Sequence, residues 1–215
     1  MQERLKRYYE WMETRPNMFR ESELISIETD KNKIEEYERA TGKEIGIVYQ
    51  SPYSTLVVDL IRRKDGSHYT YERILPTIEQ GAVVILTKCK NQYVLLKQYR
   101  HALRDYQYAC PRGFGEKGLS AAENLGKEIR EEIGAKVLHH EHLGTVVADS
   151  GMCGNVVDVF ICTVDHVEEK QGYEGIQNVV MLNQEEMDQW IRDGKITDSF
   201  TLSAYSLYKV KCDKI

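Results

Sequence analysis

Residues 110–135 read CPRGFGEKGLSAAENLGKEIREEIGA, in which a loop with three glycines leads into a patterned helix. Ser120 and Glu123 have the spacing of a capping box, in which each side chain bonds a free backbone N–H of the first turn. The predicted helix runs from residue 120 to about residue 133, and Gly134 supplies the left-handed position after it. Glycines ahead of a capped helix allow the backbone to approach a ligand closely.

Three glutamates of this helix, Glu128, Glu131 and Glu132, lie at positions i, i+3 and i+4 and therefore share one face. Two unit charges about 5 Å apart at an effective dielectric of 20 repel by roughly 3 kcal/mol. A hard divalent cation such as Mg²⁺ would offset that repulsion, because it prefers oxygen ligands. The face adjoins the apolar stripe of the helix, which consists of Ala122, Leu125, Ile129 and Ile133.

A second interpretation of the three glutamates is a solvated acidic face, whose repulsion is eased by Lys127, Arg130 and Lys136. The helix alone favours that interpretation. The preceding loop favours the metal instead, because its carbonyls can join a metal shell where the backbone approaches closely. Loop, capped helix and carboxylates together indicate a site for a metal and a phosphate.

The remaining sequence predicts strands and helices around this unit. By Val, Ile and aromatic content between turn signals, strands are predicted at 54–63, 68–75, 80–88, 93–100, within 137–147, 156–164 and 179–182. Helices are predicted at the N-terminus around residues 5–12, at 31–39 after Asp30, at 183–192 after Asn183, and after Asp198.

Composition excludes several classes of protein. The 215 residues carry 29 Lys and Arg against 34 Asp and Glu, a net charge of −5. We therefore expect no nonspecific binding of nucleic acid or of an anionic membrane. No apolar run approaches the roughly 20 residues of a membrane span. The odd number of cysteines, 5, without a C-x-x-C pair, disfavours disulfides and predicts a cytoplasmic protein.

Residues 113–135 resemble the Nudix box, G-x5-E-x7-R-E-U-x-E-E-x-G-U, where U is a bulky aliphatic residue. The positions that match are Gly113, Glu128, Ile129, Glu131, Glu132 and Gly134. The positions that depart are Leu119 in place of glutamate, Lys127 in place of arginine and Ala135 in place of the last aliphatic residue. Lys127 keeps a cation without the bidentate fork of arginine, and Glu116 is the candidate to replace the missing carboxylate.

The resemblance covers about residues 45–210 and implies an α+β fold, an α/β/α sandwich around a mixed sheet. Residues 1–44 would form an N-terminal helical extension, and residues 45–215 the Nudix hydrolase domain. Gln98-Tyr99-Arg100 and Pro111-Arg112-Gly113 are similar to motifs of the ADP-ribose pyrophosphatase-like branch. That branch implies a homodimer.

The same resemblance implies the residues of a site. Mg²⁺, or Mn²⁺, would be held by Arg112 through its carbonyl and by Glu128, Glu131 and Glu132, of which the first two glutamates also count as catalytic. Glu174 would orient or deprotonate the attacking water, with Glu168 and Glu169 as rivals. The substrate-binding candidates are Arg100, Arg104, Glu116 and Tyr53, the last as a stacking platform for adenine.

The implied reaction is the Mg²⁺-dependent hydrolysis of a nucleoside diphosphate linked to another moiety. ADP-ribose would give AMP and ribose 5-phosphate. Two alternatives remain open, a nucleotide sensor that binds without cleaving and a protein-interaction subunit that uses the N-terminal helices.

Overall fold

The computed structural model describes residues 2–168, 170 and 172–212, which divide into two units. The first unit contains residues up to 78 together with 149–155, and the second contains 79–148 and the described residues from 156 onward. The predicted boundary after residue 44 falls within the first unit, and the assignment of a separate hydrolase domain stays a prediction.

The first unit is a four-stranded antiparallel sheet with two helices. Its central strand β3 pairs with β4 along residues 54–62 and with β2 and β1 in succession. Its elements are α1 (Glu3–Thr14), β1 (Ile25–Ile27), α2 (Lys31–Thr41), β2 (Gly46–Gln50), β3 (Ser54–Arg63) and β4 (His68–Pro76).

The N-terminal helices are packed into this sheet. Leu5 of α1 and Ile34 of α2 are buried against β2 and β3. The hydroxyl of Tyr8 donates to Asp59 at 2.6 Å, and Arg73 binds the same carboxylate at 2.5 Å. Since Asp59 is 1% exposed, this pairing fixes α1 on the sheet through a buried charge that would be costly to leave alone.

The second unit is built on a seven-stranded sheet in the order β11-β6-β5-β10-β9, with β7 on β6 and β8 on β5. Strand β10 runs parallel to β5, and the other pairs are antiparallel. The strands are β5 (Val83–Cys89), β6 (Gln92–Arg100), β7 (Asp105–Ala109), β8 (Arg112–Gly113), β9 (Val137–Val146), β10 (Val157–Val164) and β11 (Ile176–Leu182). The predicted α+β class with a mixed sheet is confirmed.

Helices cover both faces of the second sheet, because alternate strand residues point to opposite sides. On one face, α3 (Ala121–Ile133) buries Leu125, Ile129 and Ile133 against strands β5 and β6, with Ala121 packed beside them. Ala122, which was predicted in this stripe, is exposed. On the other face, α4 (Gln184–Arg192) and α5 (Ser199–Cys212) pack on Val84, Leu86, Tyr93 and Leu95. The predicted α/β/α sandwich is therefore confirmed for this unit.

Several element boundaries differ from the sequence prediction. Strand β5 begins at Val83, three residues later than predicted, because Gly81 has a φ of +90° that ends the extended backbone before it. Strand β11 begins at Ile176 instead of residue 179, since its pairing with β6 extends to Gln98. The short strands β1, β2, β7 and β8 were not predicted, because cross-strand pairing defines them more than their own pattern does.

No helix within the described part of the chain is long and apolar enough to cross a membrane.

Candidate active site

Helix α3 carries the three glutamates on a well-anchored frame. Ser120 accepts from the Glu123 amide at 3.3 Å, and Glu123 accepts from the Ser120 amide at 2.8 Å, which confirms the predicted capping box. Leu125, Ile129 and Ile133 of its apolar stripe are buried on the sheet. The helix is therefore fixed in rotation, and Glu128 and Glu132, at 8% and 1% exposed, lie at the edge of the core as predicted.

Glu132 is tied to the loop that precedes the helix. Its carboxylate accepts from the backbone N–H of Arg112 at 3.1 Å. Burial, with a contribution from the charge of Glu128, raises the pKa of Glu132 to about 8. Because a strand residue directs its N–H and C=O to the same edge, the Arg112 carbonyl lies on the edge that meets Glu132.

Glu128 is packed directly against the loop backbone. A Cβ atom at Gly113 would lie 2.0 Å from Oε1 of Glu128, so any larger residue there would displace the Glu128 carboxylate. Burial is the main cause that raises the pKa of Glu128 to about 7, and the nearby charge of Glu131 adds to it. Gly113 thus allows a carboxylate and a backbone strand to occupy adjoining space.

Lys127 lies among the remaining carboxylates. Its Nζ is 2.7 Å from Glu116, 2.9 Å from Glu131 and 3.7 Å from Glu128. The hydrogen bond from Lys127 is the main cause that lowers the pKa of Glu131, whose carboxylate also accepts from the Tyr173 hydroxyl at 3.2 Å. Glu116 is therefore paired with Lys127, the residue that stands where the motif has arginine.

Two guanidinium groups lie near the buried glutamates. Arg112 pairs with Asp198 at 2.9 Å, and Asp198 also caps α5 by accepting from the Thr201 amide at 2.9 Å. Arg100 is different, because its Nε and Nη2 are buried and have no hydrogen-bond partner among the described residues. Burial and the charge of Arg112 lower the pKa of Arg100 to about 10.

Glu174 lies in the turn Tyr173–Gly175, directly before β11, with φ +45° and ψ 32°. Burial is the main cause that raises the pKa values of Glu128 and Glu132, and the charge of Glu174 adds a smaller contribution to both. Glu168 instead approaches His166 at 3.3 Å, beyond the C-terminal end of α3. Glu169 lies outside the described residues.

Arg104 and Tyr53 are the remaining predicted substrate residues. Arg104 is exposed in the turn after β6, with a φ of +58° and its guanidinium 3.2 Å from a ring nitrogen of His101. Tyr53 is 64% exposed and belongs to the first unit. Their roles stay predictions.

Asp198 and Gln98 are well-placed residues that the sequence did not assign to the site. Asp198 was predicted only as a helix cap, and nothing in its spacing indicates the pairing with Arg112. Gln98 stands in the quoted strand motif, and its side-chain N–H donates to the Glu174 carbonyl at 2.9 Å. The alternation along the strand, which puts Gln98 and Arg100 on one face, is the signal that could have found it.

The donor set suits a hard divalent cation. Glu128 and Glu132 are buried carboxylates with raised pKa values, which is the state expected of oxygen ligands that lack a compensating charge. In the described residues, no three His, Cys, Asp or Glu side chains form a ready ligand group. Two carboxylates and one carbonyl fit Mg²⁺, because this ion keeps several waters and completes its shell with substrate phosphates.

Comparison with known proteins supports the fold. No family model and no curated protein sequence matches the chain. A solved structure of an ADP compounds hydrolase is similar, with a TM-score of 0.67 and 19% sequence identity, over 80% of this chain and 95% of that chain. At this identity, the likeness concerns the fold.

Lys127→Gln is expected to bind Mn²⁺ more tightly than the wild-type chain, by about 10-fold. The substitution removes a positive charge 3.7 Å from the Glu128 carboxylate and takes the same ion-pair partner from Glu116 and Glu131. Electron paramagnetic resonance of free Mn²⁺ measures the change, with Lys136→Gln, in the segment between α3 and β9, as a matched control. Weaker binding would mean that Lys127 chiefly holds the ligands in place.

Proposed function

We propose that the chain is a Mg²⁺-dependent Nudix pyrophosphohydrolase of the ADP-ribose pyrophosphatase-like branch. Its substrate would be a nucleoside diphosphate linked to another moiety, with ADP-ribose giving AMP and ribose 5-phosphate. One observation carries the proposal: two buried, mutually repelling carboxylates lie beside a buried guanidinium whose Nε and Nη2 are unpaired. The first group calls for a cation and the second for an anion.

The chain's residues would divide the work as follows. Glu128, Glu131, Glu132 and the Arg112 carbonyl would hold Mg²⁺, which supplies charge neutralisation at the phosphoryl oxygens. Arg100 would bind the diphosphate through its unpaired N–H groups, which point to an anion because a buried guanidinium is costly without one. Glu174 would orient a water molecule toward the phosphorus and accept its proton.

The substrate class also agrees with the similar fold of the ADP compounds hydrolase. Because the identity is 19%, that agreement is support and the chemistry rests on the residues above. The homodimer stays a prediction.

A panel of diphosphates assayed with Mg²⁺ and Mn²⁺ tests the proposal. ADP-ribose, other nucleotide sugars and dinucleotides are incubated with the purified chain, and the phosphate products are separated by anion-exchange chromatography. The proposal expects metal-dependent formation of AMP and ribose 5-phosphate from ADP-ribose. Tight ADP-ribose binding without turnover of any compound, even at high protein concentration, would instead indicate a nucleotide sensor.

Metal binding should stabilise the chain more strongly as the pH rises. The raised pKa values of Glu128 and Glu132 mean that the folded apo chain holds protons that the unfolded chain has lost, so its stability falls as the pH rises from about 4.5 to 8. Mg²⁺ replaces those protons. At about 100 times its Kd it should raise Tm by roughly 5–10 °C near pH 8.5.

The gain in Tm from Mg²⁺ should be much smaller at pH 6, where Mg²⁺ competes with bound protons. Differential scanning calorimetry at both pH values measures the two gains, with Na⁺ at equal ionic strength as the control. Equal gains at both pH values would contradict the assignment of these two carboxylates as ligands.

A further inference from the structure

Gln98 has a buried side-chain amide, and its one described side-chain hydrogen bond joins the turn that carries Glu174, the proposed general base. It lies on β6 and is 3% exposed. Its Nε2 donates to the backbone carbonyl of Glu174 at 2.9 Å, while its Oε1 is buried and has no hydrogen-bond partner among the described residues. A Leu or Met side chain at this buried position would cost less free energy, because no polar atom would then be left without a hydrogen bond.

The turn that carries Glu174 needs such support. Glu174 has a φ of +45°, in the left-handed region that residues with a Cβ rarely adopt. The flanking Gly172 and Gly175 have φ values of +85° and +79°. A Cβ at Gly175 would lie 3.2 Å from the Tyr99 carbonyl, so the turn is pressed against β6 beside Gln98.

The Ile176 amide donates to the Tyr173 carbonyl and closes the turn around Glu174, while Gln98 is the described residue that binds the Glu174 carbonyl itself. The Gly172 amide donates to the Ile176 carbonyl at 2.9 Å, and the Tyr173 hydroxyl reaches Glu131 at 3.2 Å. Neither contact acts on the peptide unit that follows Glu174. The amide of Gln98 does, since it binds the carbonyl of Glu174 itself.

We propose that Gln98 is a positioning residue that holds the Glu174 backbone in its left-handed conformation and thereby aims the Glu174 carboxylate at the buried glutamates. The inference rests on the proposed function for the role of Glu174, while the structural tie stands on the contacts alone. Gln98 touches neither metal nor substrate in this proposal and acts through Glu174.

Hydrogen–deuterium exchange tests the tie without any need for activity. In Gln98→Met, exchange of the peptide that covers 172–176 should rise at least 10-fold, with little change in α3. Gln98→Asn, whose side chain is too short for its amide to reach the Glu174 carbonyl, should show the same rise in exchange. Gln107→Leu is the matched control. Gln107 lies on β7 directly opposite Gln98, and its side chain donates to Thr197 instead of the turn. Unchanged exchange at 172–176 in both variants would overturn the proposal.

A double-mutant cycle on ADP-ribose turnover tests the positioning role. Gln98→Met should lower kcat about 10–100-fold with KM within twofold of wild type and Tm within about 2 °C. In a Glu174→Gln background, the same substitution should lower kcat less than twofold further. A full additional loss in that background would show that Gln98 acts elsewhere and would overturn the role.

The two experiments separate this inference from the proposed function. If no diphosphate is hydrolysed but exchange at 172–176 rises in Gln98→Met, the tie stands and the hydrolase assignment fails. If turnover is present and exchange is unchanged, the hydrolase assignment stands and the role of Gln98 fails.

Discussion

Glu132→Gln is expected to lower the turnover of ADP-ribose by about 1,000-fold or more, because it removes a ligand charge from the buried centre of the site. The amide oxygen of glutamine can still accept from the Arg112 N–H, which Glu132 now does at 3.1 Å. The loop should therefore keep its place. Since the substitution also removes a desolvated negative charge, Tm of the apo chain should be equal or higher.

The control for this substitution is Glu123→Gln, on the same helix. Glu123 is exposed and bonded to Ser120 in the capping box, away from the three glutamates. It should keep turnover within about threefold and lose some stability from the cap. Steady-state kinetics and thermal unfolding on both variants measure the contrast, and a Glu132→Gln enzyme with normal turnover would remove Glu132 from the site.

Arg100→Met is expected to lower kcat/KM for ADP-ribose by about 100-fold, mostly through KM. Methionine matches the aliphatic stem of arginine and carries no charge, so the change removes the anion-binding N–H groups while the packing of the stem is kept. The free chain gives up a buried cation whose Nε and Nη2 have no partner in the described structure, and its Tm should not fall. A higher Tm with a weaker affinity would mark Arg100 as a binding residue.

Arg130→Met is the matched control, because Arg130 lies on the exposed side of α3 and loses the same charge. Isothermal titration of each variant with AMP and with ADP-ribose separates nucleoside from diphosphate contacts. The account expects Arg100→Met to weaken both ligands through their phosphates and Arg130→Met to weaken neither. Equal effects of the two substitutions would show that Arg100 affects ligand affinity only through the net charge of the protein.

Local sequence patterns predicted the elements that carry the site. The capping box at Ser120, the stop at Gly134 and the spacing of the glutamates depend on neighbours within one or two helical turns, so a single sequence contains them. Runs of Val and Ile between turn signals predicted the individual strands. The α/β/α sandwich around a mixed sheet was implied by the resemblance of residues 113–135 to a family motif and not by these local patterns.

The contacts that complete the site depend on residues far apart in the chain. Asp198 reaches Arg112 across 86 positions, and Gln98 reaches Glu174 across 76. No local period carries such pairings. The partner of Lys127 is a related case, since Glu116 of the loop lies 2.7 Å from Lys127 of the helix. The short strands β7 and β8 likewise depend on neighbours that the chain supplies from elsewhere.

The central claim is that buried carboxylates of α3 gather a divalent cation against a pyrophosphate. Crystals grown with Mn²⁺ and a methylene analogue of ADP-ribose, which is not hydrolysed, test it by anomalous scattering from the metal. The account predicts a peak about 2.1 Å from oxygens of Glu128 and Glu132, with the bisphosphonate between it and Arg100. A bound analogue with no peak at these glutamates would contradict the account.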